Sequence, residues 1–179
     1  MPRAVRRGPI IGLVLGLAVL VPAAEGQHAG QHGGGAHGPD GHRVAQRCIE
    51  EFERVVADGR GFGLAFAADQ HGYPGPQHIL ELRERLGLTP EQQRRAAALL
   101  EVMLAESRPR SARLLEAERR LADIFRMGTA EEAAVRAAAA EVERARSEVR
   151  LTHLLTHLKA RDLLTEAQRR LYHEARWGR

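Results

Sequence analysis

Histidine is the residue type whose placement in this chain offers chemistry. His153 and His157 lie four residues apart, so on a helix their imidazoles share one face, one turn apart, a spacing that can chelate a single divalent ion. His78, in a separate segment, would supply a third ligand if its helix packed beside theirs, and Glu81 one turn further on offers a carboxylate. The alternative is plain: the histidine pair is polar filler beside Leu154 and Leu158, and Glu81 is a solvated charge. A second group, His28, His32, His37 and His42, falls among six glycines between Gln27 and His42. Neutral imidazoles on such a flexible tract can wrap zinc, copper or nickel. Read blandly, the tract is a low-complexity linker.

Other reactive side chains are few. The lone cysteine, Cys48, excludes an internal disulfide framework and any zinc site built from several thiolates. Its place on an apolar helix stripe predicts a buried, inert thiol; exposed, it would bind metal or pair two protomers. Met103 reads as core, His71 as a turn residue and His173 as solvent-facing. The chain holds no glycine-rich phosphate loop, no nucleophile motif and no His-Glu-x-x-His, so a non-catalytic protein is expected.

These residues must be positioned by helices. Of 179 residues 44% are hydrophobic but only 4% aromatic, and alanine, leucine, arginine and glutamate, all strong helix formers, dominate. Residues 1–26 read as a signal peptide: Arg3, Arg6 and Arg7, then an apolar run over Ile10–Val21, then small residues. That run is shorter than the ~20 residues of a spanning helix, so an uncleaved anchor is the lesser alternative and the periplasm the expected compartment. Loss of the three leader arginines brings the formal charge of +4 close to neutral, which argues against a nucleic-acid partner. Residues 27–42 are expected to be disordered, because nothing apolar offsets their ordering entropy. Residues 43–179 are expected to form an all-α domain of four to five helices in long bent hairpins.

The helical reading follows periodicity. Val44, Cys48, Ile49, Phe52, Val55 and Val56 give an amphipathic first helix ending at Gly59–Gly63. Residues 63–69 suggest one further apolar turn, and a short helix through Ile79, Leu82 and Leu86 stops at Gly87. Thr89-Pro90-Glu91-Gln92 opens a third helix with a capping box. Pro109 is expected to kink that helix. Thr129 and Glu132 predict a capping box for a fourth helix, whose apolar stripe is Val135, Ala138, Val142, Ala145 and Val149, then Leu154 to Leu158. Thr165 and Gln168 open a last helix toward Trp177. With few aromatics and thin stripes, one hairpin should leave apolar surface for a second copy to cover, so a homodimer is expected.

A shift of 76 positions superposes Leu88-Thr89-x-x-Gln92 on Leu164-Thr165-x-x-Gln168, with Leu82 on Leu158 and Arg85 on Arg161. Two Leu-Thr-x-x-Gln motifs in an exported helical chain of this size resemble the periplasmic Spy/CpxP group, which includes zinc-responsive and nickel-cobalt-sensing members. Gly72-Tyr73-Pro74-Gly75-Pro76 with His78, and His153-Leu154 with His157-Leu158, look like its heavy-metal sensor and resistance branch. From about Gly61 to the C-terminus, the resemblance implies bent helical hairpins paired as a dimer. It implies either binding of zinc, nickel, cobalt or copper, or ATP-independent holding of unfolded clients. A membrane sensor or anti-sigma factor is the further partner it suggests.

Overall fold

A computed structural model describes residues 39–178. Among them are six helices and no strand: α1 (Pro39–Ala57), α2 (Phe66–Gln70), α3 (Pro76–Glu81), α4 (Pro90–Arg126), α5 (Glu132–Arg161) and α6 (Glu166–Trp177). The all-α expectation holds. None of these helices is long and apolar enough to cross a membrane.

The frame is the antiparallel hairpin of α4 and α5, 37 and 30 residues long. At about 1.5 Å per residue the two arms reach roughly 55 and 45 Å. Their join departs from the expected capping box. Gly128 takes a positive φ of 68°, its amide bonds Phe125 O, and the Thr129 amide bonds Ile124 O. This is a Schellman closure of α4. Thr129 is thereby used to end α4, and Glu131 caps α5 without a side-chain bond. Pro109 does not interrupt α4, which is helical through it. The proline and Ala105, whose carbonyl it leaves without a helical donor, both lie on the exposed face, where water can meet that carbonyl.

Two apolar clusters hold the hairpin. One gathers Ile79, Leu86, Leu88, Ala96, Ala160, Leu164 and Tyr172 where α3 and α6 close on the arms. The other joins Val56 of α1 to Leu114, Ala117, Val142 and Val149. Between them lies a buried polar layer of Ser107, Ser111, Thr152, His153, Thr156 and His157. The expected stripe of α5 therefore changes phase. From Val149, helical steps of three and four reach Thr152/His153, Thr156/His157 and Ala160, which are buried, while Leu151, Leu155 and Leu158 face outward.

Three further expectations are corrected toward the N-terminal side. Helix α1 begins at Pro39, so residues 39–42 are helical, with Pro39 supplying a φ suited to a first turn. Only the Phe52–Val56 end of α1 packs on the hairpin. Val44, Ile49 and Cys48 are exposed, because no other described element covers that half of the helix. Helix α3 also ends at Glu81, earlier than expected, and hydrogen-bonded turns carry the chain to Gly87.

Candidate metal centre

The residues singled out in sequence fall in two places. His28, His32 and His37 lie outside the described residues, and His42 is exposed on α1. His78, His153 and His157 meet in one pocket, which Asp69, Met103 and Arg176 also line. The loop through Tyr73-Pro74-Gly75-Pro76 brings this about: it carries α3 across the side of α5 and ends with a proline in the first turn of α3. His153 and His157 are not surface filler, being 4% and 6% exposed.

The two histidines of α5 differ in what their rings are used for. His153 Nε2 lies 3.2 Å from the Ser107 hydroxyl. Burial pushes the imidazole down to about 4, with His157 adding to the shift and the nearby Gly59 backbone opposing it. His153 is thus a neutral core residue whose Nε2 is engaged by Ser107. His157 Nδ1 lies 2.6 Å from the Tyr73 carbonyl. A carbonyl only accepts, so Nδ1 carries the proton and Nε2 keeps its lone pair. Nε2 makes no hydrogen bond among the described residues and points at Gly75, where an added Cβ would sit 2.9 Å from it and 3.5 Å from His78 Cδ2. Burial holds His157 below the usual histidine range, against the opposing pull of the Tyr73 carbonyl and Asp69.

His78 has the same arrangement. Its Nδ1 lies 3.1 Å from Glu81 Oε2, and its Nε2 lies 3.1 Å from Arg176 Nη2. A guanidinium has no acceptor, so Nε2 again bears the lone pair and Nδ1–H donates to Glu81. A histidine whose Nδ1–H is fixed by a carbonyl or carboxylate is in the tautomer in which Nε2 can bind metal; in His157 that nitrogen is open, and in His78 it accepts from Arg176. Glu81 therefore serves as an orienting acceptor for His78.

The donor set, two imidazoles with the Asp69 carboxylate and the Met103 thioether nearby, suits zinc, nickel, cobalt or copper. No three His, Cys, Asp or Glu side chains among the described residues are already gathered closely enough to hold an ion. Asp69 and Arg176 were not foreseen as site residues. Asp69 is buried in α2 and accepts from the Tyr172 hydroxyl and from Arg176 Nε, the latter at 2.8 Å. A lone aspartate in a short apolar turn was the only signal in the sequence.

Comparison with known protein families, curated proteins and solved structures finds no match to this chain.

Proposed function

We propose that this chain is an exported, periplasmic metal-binding protein of the Spy/CpxP type, acting in heavy-metal sensing or resistance. It takes up a divalent transition metal through His78 and His157. The observation that carries this reading is the matched state of those two rings, each with Nδ1–H fixed and Nε2 directed into one pocket. The histidine-glycine tract, with His28, His32, His37 and His42, would gather ions in the same compartment. The test is calorimetric titration of zinc into the full chain with those four histidines replaced by glutamine. Binding is expected, and His157→Ala should remove most of it. Absence of binding in the tail-substituted protein would reject the core site.

A second reading has its own support. Leu151 and Leu155 of α5 and Val102 of α4 stand about half exposed along one groove of the hairpin, bordered by Glu106, Arg110, Arg113, Glu148 and Lys159. An apolar trough with a charged rim suits ATP-independent holding of unfolded chains. Suppression of client aggregation without metal, lost in Leu155→Glu, would favour it.

A further inference from the structure

The pocket already holds a cation, and it belongs to the protein. Arg176, near the end of α6, donates from Nε to Asp69 Oδ2 at 2.8 Å and from Nη2 to His78 Nε2 at 3.1 Å. The guanidinium therefore occupies the lone pair that His78 would give to a metal and a carboxylate that would neutralise one. Asp69 is buried, and its other oxygen accepts from Tyr172. A buried carboxylate of this kind needs a partner at all times, because an unpaired charge in a dry site is costly. Arginine meets that need in the metal-free protein. A divalent ion would meet it too, and the two cations cannot share the site, since both would claim Asp69 Oδ2 and the His78 Nε2 lone pair.

We infer that Arg176 is an internal competitor for the metal, and that Asp69 is a ligand which Arg176 releases. The ion would take His157 Nε2, His78 Nε2 and Asp69, and the Arg176 side chain would leave. This rests on the metal-binding reading above and adds to it one ligand and a coupling. Binding at the pocket would loosen the C-terminal turn of α6, while the other end of that helix stays tied through Gln168 to Gln92. Trp177, the only tryptophan, is placed to report the change. Its ring stands edge-on to Phe66 at 5.3 Å, and Arg176 lies over it at 5.8 Å.

Competition makes a prediction that a purely structural arginine does not. If Arg176 only braced the fold, its removal would leave Asp69 unpaired and binding no better. If it competes, the observed affinity is the intrinsic affinity reduced by the fraction of sites that Arg176 holds closed. The test uses the full chain with the four tail histidines changed to glutamine, titrated with zinc, reading heat and Trp177 emission together. In this parent, zinc should change Trp177 emission in step with binding. Arg176→Gln should bind at least tenfold more tightly and Asp69→Asn at least tenfold more weakly, while Arg170→Gln, at an exposed position of α6, should leave affinity unchanged. Zinc binding by the parent with Trp177 emission unmoved would overturn the proposal, and that measurement needs no folded variant. So would an Arg176→Gln protein that folds but binds no more tightly. In both cases the His78–His157 site would stand. Absence of binding in both the parent and Arg176→Gln would remove the site and the coupling together.

Discussion

Gln92 and Gln168, 76 residues apart, hydrogen-bond to each other: Gln92 Nε2 donates to Gln168 Oε1 at 2.8 Å, and Gln168 Nε2 donates to Gln92 Oε1 at 3.1 Å. Each oxygen also accepts from its own cap, Thr89 N at 3.0 Å and Thr165 N at 2.9 Å. Each amide nitrogen reaches a carbonyl across the pair, Leu163 O for Gln92 and Leu86 O for Gln168. The repeated motif is therefore two capping boxes clasped face to face. A capping box accepts glutamate as readily as glutamine, but the clasp does not, because a carboxylate cannot donate. Gln168→Glu should strand the Leu86 carbonyl and set a carboxylate against the Gln92 oxygen in a buried site. The expected loss is about 2–3 kcal/mol, the cost of leaving buried polar groups unpaired. Urea unfolding measures it. A loss within a few tenths of a kcal/mol would show that the clasp adds nothing beyond two independent caps.

Gly75 sets how closely His157 approaches the α3 loop. Its φ of −79° is one any residue adopts, so a substitution there meets only a steric obstacle. An alanine Cβ would sit 2.9 Å from His157 Nε2, inside van der Waals contact. Gly75→Ala should push the imidazole aside, destabilising the fold by about 1–3 kcal/mol as overpacking does. It should also weaken zinc binding by the tail-substituted protein. Unchanged affinity in a folded Gly75→Ala protein would mean that His157 Nε2 is not a ligand.

The capped starts of α4 and α6, the glycine stops and the hairpin were legible because they are local: Thr89, Gln92, Thr165, Gln168 and Gly128 act within a few residues of themselves. The inward face of α5 was not. Hydrophobicity favours Leu154–Leu158 as the stripe, yet the phase set by Val142 and Val149 carries Thr152, His153, Thr156 and His157 inward. Such a polar layer is tolerable because most of its members find partners: Thr152 and Thr156 bond carbonyls four residues back, His153 bonds Ser107, and His157 bonds Tyr73, while the buried Ser111 hydroxyl has none among the described residues. None of those partnerships except the i−4 bonds is visible from spacing. Cys48 was misplaced for a related reason, since an amphipathic stripe says which face can be buried but not whether anything covers it.

The outward leucines bear on assembly. Leu151, Leu155 and Leu158 recur at helical spacing, and Leu155 is 47% exposed, so the stripe is continuous enough to seat a second copy of the hairpin. Sedimentation at ~50 µM, where even a modest interface associates, should show a dimer. Leu155→Glu should give a monomer of unchanged helicity, because Leu155 lies outside the buried clusters and already stands about half exposed. A monomeric parent at that concentration would reject the homodimer and leave the groove to the client-holding reading.

The buried His153 makes stability depend on pH in a stated direction. Burial holds its pKa at about 4 in the folded protein, below the ~6.5 of an unfolded chain. Because the folded value is the lower one, the unfolded chain takes up the proton first as pH falls. The stability from keeping His153 neutral is therefore full above about pH 6.5 and drains away between there and pH 4. The size is on the order of 3 kcal/mol for this group alone. His157, shifted the same way by burial, should steepen the loss. Urea unfolding of chelator-treated protein at intervals from pH 7 to pH 4 measures the slope. His153→Gln, which does not titrate and can still reach the Ser107 hydroxyl, should flatten it. If the parent and His153→Gln lost stability in parallel, His153 would be charged in the fold, and its place as the neutral packing neighbour of His157 would be wrong.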